Sequence, residues 1–442
     1  MRDLLVLAIV FGSLPVAFAR PWIGVLVFAW ISYMNPHRYT WGIAYDFPVA
    51  MLVAAATLAG LVFTRDRQSI PWRRETLLIA ALWAVFTFTT FFALNEQAAW
   101  AQWQKVSKIL LMTFVTLVLI NAAEKLRYLL LTIALSVGAI GVKGGLWVLI
   151  TGGAHRVYGP PRSFMAGNND LGLALAMTLP MLLYLARGER RRWLRLALRG
   201  TFVLTALACV FTYSRGAFLS LLVAAFLMLV EARRKTLAAL LIGAGVLAVV
   251  WIVPAHWTAR MDTIGQYELD QSAQGRLNAW RLAWNVALAR PFTGGGFETF
   301  VPHVFDRYAP EVNDAREVHS IYFEALGEHG FPGLILFLAL LGSCLLTLSS
   351  LKRRFAREDR FFDLRHYPTM LRMSILVYMT GGLFLGKAYF DFFYHLVAAV
   401  ILLKTLAARV PADSPQAAPA PALALAKTGP RARSASAATQ VK

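Results

Sequence analysis

Residues 128–151 read YLLLTIALSVGAIGVKGGLWVLIT, an apolar stretch in which Lys143 is the single charge. Wound as an α-helix at about 1.5 Å per residue, it is long enough to cross a hydrocarbon core about 30 Å thick. Working outward, comparable stretches occupy 46–64, 77–95 and 106–122 before it, and 168–186, 200–213, 216–232, 236–254, 331–350, 369–388 and 393–408 after it. Composition agrees. Of 442 residues, 58% are hydrophobic and 15% charged, whereas soluble domains carry about 25% charged residues. An ordinary soluble enzyme, a disordered chain and a disulfide scaffold are excluded, and the short alternating strands of a barrel are absent. The pattern predicts an all-α polytopic integral membrane protein.

The formal charge of +20 suggests nucleic acid, but no nucleic-acid module accompanies it. Lys and Arg instead collect between the apolar stretches: Arg65, Arg67, Arg73 and Arg74; Lys125 and Arg127; the run from Arg187 to Arg199; Arg233 to Lys235; and Lys352 to Arg360. Threading the spans puts all of these on one side, which marks that side as cytoplasmic. The first 35 residues read either as two spans or as one long span broken at Arg20-Pro21. The second reading is preferred, giving about twelve crossings with both termini inside. Four regions follow: transmembrane helices over 1–254, an external loop over 255–330, further helices over 331–408, and a disordered cytoplasmic tail over 409–442.

The external loop holds six arginines and ten acids, so its arginines are not a diffuse basic field. Leu277, Trp280, Trp284 and Leu288 recur at helical spacing and predict an interfacial helix, tryptophans towards the membrane, with Asn278, Arg281 and Asn285 on the other face and Arg276 at the edge. Gly294-Gly295-Gly296 lacks a following Gly-Lys-Ser/Thr and reads as a turn. His319, where the loop returns to the membrane, is either an interfacial histidine bound to a carbonyl or a proton-accepting or sugar-binding group. Arg215 separates two apolar runs at the external boundary and is either a snorkelling anchor or a ligand contact. Asn168, Asn169 and Asp170 cap the next helix or enter a site. Lys387 and Asp391 stand four residues apart and can pair with each other. No zinc-ligand spacing occurs.

Gly167-Asn168-Asn169-Asp170, Ser214-Arg215-Gly216-Ala217, Arg276-Leu277-Asn278-Ala279-Trp280, Pro291 to Gly296, His319-Ser320-Ile321-Tyr322 and Glu328 to Gly333 stand in this order around one long loop. Together they resemble the O-antigen ligase/polymerase superfamily of bacterial membrane glycosyltransferases, over about residues 40–400. The family more often has Asn where Ser320 stands. The start, through Ser32 to His37, resembles a subgroup found with exosortase-type systems and labelled O-glycosylation ligases.

The resemblance implies transfer of O-antigen from undecaprenyl diphosphate to lipid A–core on the periplasmic face of the inner membrane, without metal or other cofactor. Arg215 and Arg276 would bind the diphosphate and His319 would serve the acceptor hydroxyl. Asn168, Asn169, Arg281, Tyr322 and Lys387 are further substrate-binding candidates. The chemistry agrees: a departing diphosphate needs its charge stabilised, which forked guanidinium bonds provide. Partners would be the two lipid-linked substrates and membrane lipids, with no nucleic acid, and the chain would be a monomer or weak oligomer. An O-antigen polymerase or protein O-glycosylation ligase would use the same donor. A lipid or solute transporter, the reading from another class, would place its polar residues at the midplane instead.

Overall fold

The computed structural model describes residues 1–252, 271–312 and 316–410. The expected tail therefore lies outside the described residues from 411 onward, as do 253–270 and 313–315 of the expected external loop. Among the described residues the regular structure is helical throughout. The N-terminal part comprises α1 (Arg2–Ala19), α2 (Pro21–Met34), α3 (Val49–Phe63), α4 (Arg74–Thr90), α5 (Glu96–Leu119) and α6 (Ala123–Thr151). Next come α7 (Asn168–Gly188), α8 (Arg192–Val210), α9 (Arg215–Val230) and α10 (Lys235–Ile252). The chain then forms α11 (Gln271–Ala289), α12 (Pro302–Tyr308), α13 (Ile321–Arg357), α14 (Tyr367–Gly381) and α15 (Asp391–Arg409). Helices α1, α6, α7, α8, α13 and α15 are long and apolar enough to cross a membrane, and α2, α3, α9 and α10 include shorter apolar helices. The chain is a multi-pass membrane protein.

The centre of the bundle is built from α7 and α15, which are apolar on every face and almost entirely buried. An all-round apolar helix belongs inside, where neighbours surround it. Helices α6, α8, α9 and α14 pack around α7. Small residues let backbones approach: side chains added at Gly141 and Gly145 of α6 would strike Thr205 and Leu204 of α8, the close packing expected between membrane helices.

The first 35 residues depart from the preferred single broken span. The Arg20 break turns the chain back on itself, so Val6 and Val10 of α1 share a core with Ile31 of α2 and Val53 of α3. The carboxylate of Asp3 accepts from the amides of Gly42 and Ala44 at 3.0 and 3.1 Å. The start of α1 therefore lies at the same end as the segment after α2. A hairpin replaces the long span, because an 18-residue helix already suffices and Pro21 can begin a new helix but not continue an old one.

The basic segments gather at one end of the bundle. Lys125 pairs with Asp66 at 2.7 Å, Arg127 with Glu189, Arg190 with Asp363 at 3.6 Å and Lys352 with Glu231. Just below, the buried carboxylate of Glu75 accepts from Ser343, Thr347 and Lys404. The residues singled out as candidates fall at the opposite end.

Candidate active site

Four segments meet at that opposite end. The first is the turn between α8 and α9. Ser214 caps α9, its hydroxyl accepting from the Ala217 amide at 3.2 Å, which makes Arg215 the first helical residue. Tyr213 sits at φ 56° and donates its hydroxyl to the Gly153 carbonyl at 2.5 Å. Asn168, opening α7, donates its amide to the Thr212 carbonyl at 2.8 Å. The Asn168 side chain thus ties α7 to the turn that presents Arg215. The capping alternative for this cluster is not what the fold uses: Gly167 is the N-cap and no side chain caps α7.

The second segment is α11, which carries Arg276. Its packed face is Ala279, Leu282, Ala283, Val286 and Ala287, all fully buried, while Leu277, Trp284 and Leu288 are exposed. Trp280 lies between these faces. Its indole donates to the Val318 carbonyl at 3.0 Å and stacks on Phe323, ring centroids 4.9 Å apart. Through Trp280, α11 holds the third segment, the irregular stretch 316–320 with His319.

His319 adopts φ 42°, an uncommon left-handed conformation for a non-glycine residue. Two residues on, the Ile321 amide donates to the Gly382 carbonyl at 2.8 Å. This brings in the fourth segment, residues 382–390, whose Gly386 passes directly beside the His319 amide. Phe384 of the same segment borders Gly216, so Arg215 and His319 flank a common wall. Lys387 emerges from it and pairs with Asp170 at 3.3 Å. The expected Lys387–Asp391 pairing does not form, because α14 ends at Gly381 and α15 begins only at Asp391. The two residues never share a helix.

His319 is held below the ordinary histidine value, first by burial and then by the Arg276 guanidinium. Glu317 and Asp170 oppose this, and Lys387 adds to it. Arg276, Asp170, Glu317 and Lys387 therefore all act on His319 electrostatically. A neutral imidazole beside cations can accept a proton, and the cations favour an anionic ligand.

Other candidates sit differently. The Tyr322 hydroxyl donates to the Met379 carbonyl at 3.0 Å, Asn169 is half-buried beside Asp170, and Arg281 forms an exposed ion pair with Glu311 at 3.3 Å. Lys143, the single charge of the apolar stretch 128–151, lies 4.3 Å over the Tyr39 ring.

Sequence reasoning passed over one buried network behind the site. Tyr389 donates to Glu328 at 2.5 Å and contacts His329 Nε2 at 2.8 Å, while His329 Nδ1 meets the Thr89 hydroxyl at 2.6 Å. Glu324 accepts from the Ala388 amide at 2.8 Å. Glu324 and Glu328, four residues apart in an apolar surround, are the signal that was there to find. The glycine triplet is a turn, as expected: Gly295 and Gly296 donate to the Gly327 and Glu328 carbonyls at 2.8 Å, satisfying the end of the first part of α13, which kinks at Gly330.

Residues 200–338, the stretch that contains Arg215, Arg276 and His319, match the family model described as O-Antigen ligase. That match identifies this part of the chain with the O-antigen ligase superfamily. The match supports a membrane enzyme of the O-antigen ligase/polymerase type, a family that implies a polyprenyl-linked glycan donor and a lipid acceptor. Residues 1–189 match a second model, described as a family of unknown function (DUF5935). No curated protein matches the chain.

Proposed function

We propose that this superfamily member transfers O-antigen from undecaprenyl diphosphate to lipid A–core at the periplasmic face of the bacterial inner membrane, through about thirteen crossings once the N-terminal hairpin is counted as two. The observation that carries the reading is the gathering of Arg276, Lys387 and a depressed His319 at the end of the bundle opposite the basic loops. If those loops are cytoplasmic, this end faces the periplasm.

His319 takes the proton from the acceptor hydroxyl as its oxygen attacks the anomeric carbon. The bond from that carbon to the diphosphate oxygen breaks, and the electron pair leaves with the diphosphate. Arg215 and Arg276 neutralise that charge through forked hydrogen bonds, with no metal required. Attack opposite the leaving group inverts the anomeric centre. Asn168 sets the Arg215 turn, and Asp170 orients Lys387 towards the same anion. Asn169 and Tyr322 stay in this account as lining groups. Arg281, engaged with Glu311 on an exposed face, contacts substrate only if that pair opens.

The test supplies purified protein with labelled undecaprenyl-diphosphate glycan, lipid A–core and EDTA. Label moving onto lipid A–core supports the ligase. Label growing on the carrier identifies a polymerase, and label appearing only on a supplied protein acceptor identifies a protein ligase; either overturns the lipid A–core assignment.

A further inference from the structure

At the basic end of the bundle, far along α7 from Asp170, the end of α7, the α9–α10 turn and the start of α14 enclose a cleft of about 510 Å³. Its rim carries Arg187, Arg233, Arg234 and Arg365, with His366 between them. The Arg187 guanidinium lies 4.7 Å over the Tyr184 ring, and the His366 ring packs 5.9 Å from the same tyrosine. One acid lines the cleft, Glu231, and it is already bound by Lys352. The remaining wall is apolar: Leu237 and Leu241 of α10 are 47% and 65% exposed, on a helix that packs chiefly against α9.

We infer that this cleft binds the headgroup of an anionic phospholipid, with the phosphodiester among the arginines and an acyl chain along Leu237 and Leu241. His366 reports the field there. Burial holds it below its ordinary value, and Arg365, Arg187 and Arg233 push it the same way, so three guanidiniums act on one point. Like charges held together in this way favour an anion, and guanidiniums suit phosphate oxygens. A free phosphate would satisfy the same arginines but leave the apolar wall unused. A basic pocket between membrane helices on the cytoplasmic side, open to lipid along one wall, combines both halves of a phospholipid. The residues are remote from the candidate active site, and the inference does not depend on its chemistry.

The test measures thermal unfolding of the full chain in neutral-detergent micelles titrated with phosphatidylglycerol, phosphatidylethanolamine or inorganic phosphate. Phosphatidylglycerol should raise the unfolding temperature saturably, and the other two should not. The R187Q/R233Q/R365Q variant should need at least about tenfold more phosphatidylglycerol for half the effect, a change of about 1.4 kcal/mol. An R192Q/R199Q/R353Q control loses the same charge elsewhere on the basic end and should respond like the parent chain. Leu241→Ser keeps every arginine at an exposed position and should also weaken the response, so the inference remains testable if the triple variant fails to fold. Equal responses to both lipids, equal losses in the control, or a full response to inorganic phosphate would overturn the inference.

Discussion

The Lys387 ammonium lies 3.3 Å from the Asp170 carboxylate, so a residue between α14 and α15 is fixed by the first turn of α7. Each side chain is about three-quarters buried, and the pair stands beside His319. Desolvating two side chains this buried offsets most of their attraction, so the pair's net stability contribution is modest, but its geometric effect is larger. Asp170→Asn should therefore lower the unfolding temperature only slightly while reducing glycan transfer by about tenfold or more, the scale on which a displaced positioning group costs rate. Parallel unfolding and transfer measurements check this; a large stability loss with unimpaired specific activity would contradict it.

His319 supplies the pH dependence. Its value is depressed below the ordinary 6.5, so at neutral pH the imidazole is uncharged and able to accept a proton. Transfer should be flat around neutrality and fall on acidification, with the midpoint below 6.5 because protonation removes the base. Lys387→Gln removes a neighbouring cation and should move that limb to higher pH. Glu317→Gln removes an opposing anion and should move it lower. Rate–pH profiles of the residual activity decide both signs.

Gly330 is the sharpest backbone requirement in α13. It adopts φ 64° and ψ −164°, a region essentially closed to other residues, at a cost of about 1–3 kcal/mol. A side chain there would also clash with the Pro291 carbonyl oxygen. Gly330→Ala should lower stability by at least that amount in thermal unfolding, whereas Gly342→Ala in the same helix, with open space around it, should be tolerated.

Tyr389→Phe removes the hydroxyl shared by Glu328 and His329. All three groups are buried, and stranding buried polar partners costs about 1–3 kcal/mol. The variant should unfold earlier by a corresponding shift, and double substitution with Glu328→Gln should cost less than the sum, because the two act through one hydrogen bond.

What the sequence made legible follows from the chemistry of the membrane. Eleven apolar stretches correspond to helices. The face of α11 was half legible. Its bulky residues do form a stripe, with Leu277, Trp284 and Leu288 exposed while Trp280 turns in to the Val318 carbonyl; the packed face of Ala279, Leu282, Ala283, Val286 and Ala287 carried the weaker signal, because three of its five residues are alanines. The Arg20 hairpin depends on contacts of α1 with α2 and α3, which no local pattern encodes. The Lys387–Asp170 pair joins residues more than two hundred positions apart and the Tyr389 network joins residues sixty or more apart, so the residues were visible but their partners were not.

The central claim is that Arg215 and Arg276 hold the donor diphosphate while His319 acts on the acceptor. Its most direct measurement is donor affinity beside single-turnover transfer for Arg215→Ala, Arg276→Ala and His319→Gln in one detergent preparation. Both arginine variants should lose donor binding and transfer together, with rate falling by about 10²–10³ as for a lost charge-stabilising donor. His319→Gln should bind donor as the parent chain does and turn over about 10²–10⁴-fold more slowly. Arginine variants that bind and transfer normally, or a His319 variant that fails only in donor binding, would contradict the account.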